Sequence, residues 1–358
     1  MWRNFLILIF VLLFSSCSGI LWQKTARVRK VPALTHPRLL EGELRLAIKN
    51  IHLLSGDSLK AFNKRNGIPE NQLPTLRVWS ALIRPFQNQK NVRCLLVQPK
   101  PTSIFKEPEN GITIFYWDLG SALKEKDSII VLRKFRYVCF DYKPDPGMDS
   151  IRYDRNKIPK YIRTFYTKSE PFLHLTEKIK QTAHQIAGRE HNPFKQARLL
   201  HHWVHKNMTY IYPPKKRGAT AALESMSGDC GQYADLFIAL ARSLNIPARL
   251  QAGFVFSAQR VSYHVWAQIY LPHTGWFPVD PTRKDGFGFL DNKRLIASVG
   301  MNIPLKFVPV WATYRNSEAE HGRTDFMQLA TIVKSGFKAS IITNITVIKD
   351  SLLTLPTH

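Results

Sequence analysis

The chain reads as an α+β protein: a β-sandwich-like first part, then a core of helices packed on an antiparallel sheet. Three observations predict this. Strand-like segments rich in β-branched and aromatic residues follow one another over 38–150. Apolar residues then recur at helical spacing between Leu175 and Leu244. Strand-like segments return beyond Arg249, with a Pro272-His273-Thr274-Gly275 turn among them. With 358 residues, 44% hydrophobic and 22% charged, the chain can bury a sizeable core and divide into two domains.

The N-terminus sets the expected compartment. Residues 5–14 are an unbroken apolar run behind Arg3, followed by Ser15-Ser16-Cys17-Ser18. The run has the length of a signal-peptide core and is too short to span a bilayer. The small residues before Cys17 resemble the lipobox of bacterial lipoproteins, with Phe14 where leucine is usual. The expectation is a signal peptide over 1–17 and a lipid on Cys17 that ties an exported protein to the membrane. It would sit in the bacterial cell envelope, facing the periplasm or the cell exterior. Plain secretion with cleavage nearby is the alternative. Residues 18–37 then form a tether whose Lys24, Arg27, Arg29 and Lys30 suit anionic head groups.

A β-sandwich-like domain is expected over 38–150. Its clearest strands are Leu76-Arg77-Val78-Trp79, Val92-Arg93-Cys94-Leu95-Leu96-Val97, Ile112-Thr113-Ile114-Phe115-Tyr116-Trp117 and 129–142, with Pro- and Gly-rich turns between them. No catalytic constellation stands out there. Lys143-Pro144-Asp145-Pro146-Gly147 reads as a linker to a catalytic domain over 160–320, and C-terminal strands fill 321–358.

In the second domain one helix carries Leu175, Ile179, Ala183 and Ile186 and ends near Gly188. Another starts at Asn192-Pro193 and turns Ala197, Leu200, Trp203 and Val204 inward. A third opens in Ser227-Gly228-Asp229-Cys230, where Asp229 or Ser227 can cap it. Its stripe is Tyr233, Phe237, Leu240, Ala241 and Leu244. Asn245 and Pro247 end it. Cys230 therefore falls in the first turn of a buried helix. His264 and Asp280 flank the predicted hairpin. A turn centred on Pro272 sets them opposite each other, whereas one nearer Thr274 offsets them and calls for a bulge.

A thiol at a helix N-terminus meets the positive end of the helix dipole and free N–H groups, which favour the thiolate. An imidazole beside it and a carboxylate behind the imidazole complete a nucleophilic acyl-transfer set. Cys230, His264 and Asp280 are the residues for it, with the Cys230 N–H as the first oxyanion donor.

These residues stand in blocks that resemble the transglutaminase-like superfamily, which has a papain-like fold. The blocks are Gly228-Asp229-Cys230-Gly231-Gln232-Tyr233-Ala234-Asp235-Leu236, Leu244-Asn245-Ile246-Pro247-Ala248-Arg249, His264-Val265-Trp266-Ala267 and Gly275-Trp276-Phe277-Pro278-Val279-Asp280-Pro281-Thr282. The resemblance covers about 165–315. It implies Cys230 as nucleophile, His264 as base, Asp280 as orienting carboxylate, amide acyl chemistry and neither metal nor organic cofactor. It also implies an aromatic or polar side chain near the oxyanion, for which Tyr210 and Trp203 are candidates.

Other signals read blandly. His201, His202 and His205 lack a glutamate between them and a third ligand, so they are read as exposed or partly packed rather than metal-binding. The 51 Lys and Arg against 26 Asp and Glu give a net charge of +25. They are spread along the chain without a zinc-finger, RNP-like or basic-zipper pattern, so the expectation is anionic envelope surroundings and no nucleic acid. Among the four cysteines, Cys94 and Cys139 pair only if their strands bring them together. The expected activity is thiol-dependent hydrolysis of peptide or isopeptide amides in a protein or peptide substrate. The alternatives are protein cross-linking and a non-enzymatic envelope-binding module.

Overall fold

The computed structural model describes residues 32–257, 260–312 and 317–354. The leader, Cys17 and most of the tether lie outside the described residues. The first strand, β1 (Ala33–Leu53), begins within the segment read as tether and runs for 21 residues. The helix formers Glu43, Leu44, Arg45, Leu46 and Ala47 hide it in the sequence. Pairing on both sides overrides their propensity, as is common for strands. There follow α1 (Gly56–Arg65), β2 (Thr75–Ala81), β3 (Gln89–Gln98), β4 (Ser103–Lys106), β5 (Thr113–Asp118), α2 (Ala122–Glu125) and β6 (Ser128–Lys143).

The second half continues with α3 (Lys160–Phe165), α4 (Glu177–Ala187), α5 (Pro193–Asn207), β7 (Thr209–Tyr210), α6 (Ala219–Ser225), β8 (Ser227–Gly228) and α7 (Cys230–Ser243). Next come β9 (Ala248–Phe256), β10 (Val261–Leu271), β11 (Gly275–Val279), β12 (Arg294–Val299), β13 (Ile303–Pro304) and β14 (Arg323–Thr324). The last strands are β15 (Thr331–Ser335) and β16 (Phe337–Leu352). Among the described residues no helix is long and apolar enough to cross a membrane.

Two four-stranded antiparallel sheets, β16-β1-β6-β3 and β15-β2-β5-β4, make the sandwich. The C-terminal strands thus return to it, β15 against β2 and β16 against β1. A third antiparallel sheet, β11-β10-β9-β12, carries the helices. On one side α7 packs against it with Leu236, Leu240, Leu250, Ala252, Val265 and Ile269 in one apolar cluster. At its other end Phe254, Phe256, Leu295 and Ala297 join Leu44, Val78, Trp117 and Tyr137 of the sandwich in a second cluster. The described residues accordingly form one compact unit.

Cys94 and Cys139 are free thiols. Cys94 pairs with Phe135 and Cys139 with Gln89, so the two are four positions apart along β6. At about 3.3 Å per residue that is about 13 Å, beyond the reach of a disulfide.

Candidate active site

Helix α7 starts at Cys230, and Asp229 is its cap. Asp229 Oδ1 accepts from the N–H groups of Gly231 (3.0 Å) and Gln232 (3.2 Å), and Oδ2 meets Arg217 at 3.1 Å. These bonds leave the first turn of the helix anchored with the half-buried Cys230 thiol at its tip. Gly228 admits the close approach: a Cβ there would lie 2.3 Å from Gln232 Cβ. Gln232 in turn fastens the preceding loop, donating to Lys216 O (2.8 Å) and accepting from Gly218 N (2.9 Å).

The short parallel pairing of β7 with β8 sets Tyr210 against Gly228. From there the Tyr210 phenol lies close enough to Cys230 for the two to influence each other. Burial, then the neighbouring Cys230 and Asp229, push the phenol above its ordinary pKa. Trp203, the other oxyanion candidate, is half-buried against the helical cluster on α5.

His264 and Asp280 reach one another by a route the sequence left open. Leu271 pairs with Gly275 and Ala267 with Val279, so the turn centres on His273, which takes a left-handed φ of 69°. Asp280 therefore lies diagonally across from His264. No bulge intervenes, because diagonal neighbours on one face are within reach of long side chains. His264 Nε2 donates to Asp280 Oδ2 at 2.8 Å, and the Cys230 side chain is close enough to act on the same ring. The structure thus pairs His264 with Asp280 through a hydrogen bond and sets Cys230 beside the ring. Burial alone would lower the His264 pKa. The Asp280 charge and hydrogen bond, with the neighbouring Cys230 side chain, outweigh it and raise the pKa to about 9.

Asp280 is fully buried, and all of its polar atoms are engaged. Its Oδ1 accepts from Thr282 Oγ1 (2.6 Å) and Thr282 N (3.2 Å). Its Oδ2 accepts from His264 and from Arg294 Nη2 at 2.9 Å. Its N–H goes to Gly286 O at 2.8 Å, and its carbonyl accepts from His201 Nε2 at 3.2 Å. Burial works against the carboxylate. Arg294 and His264 outweigh it and hold the acid well below the usual carboxylate range.

Two of these neighbours escaped the sequence reading. Arg294 is 2% exposed, with its guanidinium over the Trp266 ring at 4.9 Å. In a chain with 51 Lys and Arg, one arginine at a strand start gives no signal of its own. His201, read as exposed or partly packed, is buried. It donates to the Asp280 and Arg283 carbonyls, and burial lowers its pKa, which keeps the ring neutral. His202 is exposed, and His205 stacks on His201 with ring centres 6.3 Å apart. Among the described residues no group of three or more His, Cys, Asp or Glu could hold a metal ion.

A helix-capped thiol, a strand histidine and a buried carboxylate on one helix-and-sheet core define a transglutaminase-like, cysteine-centred architecture. Residues 180–281 match the model of the transglutaminase-like superfamily core, so this part of the chain is a transglutaminase-like domain. An uncharacterized protein of Haemophilus influenzae is 29% identical over 142 residues, 32% of this chain and 38% of that one. A protein-glutamine gamma-glutamyltransferase of Pseudomonas aeruginosa is 29% identical over 100 residues, 24% of this chain and 15% of that one. The chain spans well under two thirds of the length of either curated relative. A solved Cytophaga hutchinsonii protein, provisionally described as a cysteine protease, superposes with a TM-score of 0.56 at 14% identity. The match covers 91% of this chain and 94% of that one, so the shared fold takes in sandwich and core together.

Proposed function

We propose that the protein is a thiol-dependent acyl-transfer enzyme that hydrolyses peptide or isopeptide amides, working in the bacterial cell envelope. The observation that carries this is the Cys230 thiol at a helix N-terminus, with His264 beside it and hydrogen-bonded to a carboxylate that Arg294 also holds. The helix dipole and the imidazolium both stabilise negative charge on sulfur. Cys230 Sγ attacks the carbonyl carbon, and the electron pair moves to oxygen. The Cys230 N–H and the Tyr210 hydroxyl are the donors assigned to that oxyanion, since Tyr210 neighbours Cys230. His264 passes its proton to the leaving amine as the C–N bond breaks, giving a thioester on Cys230. It then takes a proton from water, which attacks the thioester and releases the acid and the thiol.

Water is favoured over a lysine amine as acceptor by the rim of the site. Lys215, Lys216 and Arg217 are exposed on the loop fastened beside Cys230 by Gln232 and Asp229, and they repel an incoming ammonium. The second reading, amine transfer to a glutamine acyl group, follows the activity for which the Pseudomonas relative is named. The envelope location and a lipid on Cys17 rest on the leader sequence.

Two measurements test the proposal. A thiol-directed probe on purified protein is expected to label Cys230, and Cys230→Ala is expected to abolish both labelling and peptide hydrolysis. Incubation with a glutamine peptide and a labelled amine is expected to release ammonia and acid without amine incorporation. An inert Cys230 overturns the enzyme reading, and efficient incorporation replaces hydrolysis with cross-linking.

A further inference from the structure

The strand that carries Arg294 is an edge strand. β12 pairs with β9 and has no further neighbour in its sheet among the described residues, so its outer N–H and C=O groups need partners elsewhere. The sandwich supplies them from side chains. Tyr137 Oη and Cys139 Sγ on β6 both donate to Arg294 O, at 3.1 and 3.3 Å, and together fill the two acceptor positions of that carbonyl. Gln89 on β3 bridges Ile296 in the manner of a missing strand, accepting from its N–H at 2.9 Å and donating to its C=O at 3.2 Å. Asn88 Nδ2 reaches Cys139 Sγ at 3.5 Å. Tyr137, Cys139 and Gln89 are all fully buried. On the far side of the same residue, the Arg294 guanidinium grips Asp280 and lies over Trp266, which is itself stacked against His264.

We propose that the β-sandwich is the back wall of the active site: Tyr137 and Cys139 on the Arg294 carbonyl, and Gln89 on Ile296 two residues along, are positioning residues that fix β12 so that the Arg294 side chain holds Asp280 in line with His264. None of the three approaches the thiol; they act through Arg294. The inference rests on the acyl-transfer reading, because it assigns the His264–Asp280 pair a job to be positioned for. It also gives the sandwich a function, where the sequence offered only a fold. Besides His264, the ionisable groups around Asp280 are Arg294 with its neighbour Asp291, His201 from α5, and Arg283 and Asp285 from the following loop. None of the three positioning side chains is ionised at neutral pH, so their removal changes geometry without changing charge.

The test uses the whole chain with Tyr137→Phe, Cys139→Val, the two combined, and Cys139→Ser. Serine keeps a donor toward Arg294 O, whereas valine keeps the volume and loses the donor. Two readouts are taken on folded protein. One is the rate of iodoacetamide alkylation at Cys230, resolved from Cys94 by peptide mass spectrometry. The other is solvent exchange of the His264 Nε2 proton by NMR. In the double variant alkylation is expected to slow roughly tenfold and the proton to lose its protection, as two buried hydrogen bonds are removed. Cys139→Ser is expected to stay within about twofold of the parent, since its donor is retained. A folded double variant with parental alkylation and a protected proton overturns the inference, and so does equal damage from serine and valine. An unreactive Cys230 in the parent would refute the acyl-transfer reading instead, and the His264 proton would still decide whether the sandwich positions the pair.

Discussion

Replacing Asp280 with Asn tests the electrostatics of the site directly. The His264 side chain is 17% exposed and its pKa is raised from 6.5 to about 9. Burial opposes that rise; Asp280 is its largest source, with Cys230 adding to it. Because the folded pKa lies above the unfolded one, the histidine contributes stability that is fully present below pH 6.5. That contribution is lost as pH rises through about 9. A rise of this size corresponds to about 3 kcal/mol. The amide keeps the size of the side chain but removes the charge. It also leaves Arg294 with Asp291 at 3.4 Å as its remaining carboxylate, so the variant starts about 3 kcal/mol less stable. The diagnostic is therefore the slope, not the offset. Urea unfolding of both proteins between about pH 6 and about pH 9 is expected to show the gap closing by about 3 kcal/mol as pH rises. The parent loses the His264 contribution over that window, and the variant has none to lose. A gap that stays constant, or that widens, refutes the assignment of His264 as a histidine kept charged by Asp280.

Three further perturbations have defined outcomes. Gly253→Ala sets a Cβ 1.9 Å from the Leu295 carbonyl oxygen, backbone against backbone. It should push β12 off β9, lower the thermal midpoint by roughly 10 °C or more, and slow Cys230 labelling with it. Asp229→Ala removes the α7 cap and is expected to cost about 1–2 kcal/mol in urea unfolding, with no change in the pH dependence set by His264. Tyr210→Phe removes the hydroxyl neighbouring Cys230 and should lower kcat on a peptide amide by roughly tenfold or more with KM little changed. An unchanged kcat would remove Tyr210 from the oxyanion site.

The core of the fold was legible because its local signals agree. The Asp229 cap and the left-handed Asn245 bracket α7, and Asn192-Pro193 starts α5 with Asn192 accepting from Phe194 and Lys195 N–H. The thiol, histidine and carboxylate came from the same blocks. Their register did not, because hairpin geometry depends on which residue takes positive φ, and His273 is an uncommon choice. β1 stayed hidden behind helix-forming residues, since pairing with β6 and β16 is a long-range fact. Arg294 and His201 were illegible for a related reason. Each acts on Asp280 from a distant element, Arg294 through its side chain and His201 through a carbonyl, and neither leaves a spacing pattern.

The central claim is that His264 makes Cys230 a nucleophile, and the protein carries its own comparator. Cys94 is an exposed residue whose thiol pKa is raised, chiefly by burial of the sulfur. An activated peptide ester should therefore acylate the two thiols very unequally. Intact mass and peptide mapping after an acid quench are expected to find a thioester on Cys230 at near one per chain before Cys94 reacts, and none on Cys230 in His264→Ala over the same interval. Equal acylation of Cys94 and Cys230, or a Cys230 adduct that forms as fast without His264, would contradict the account.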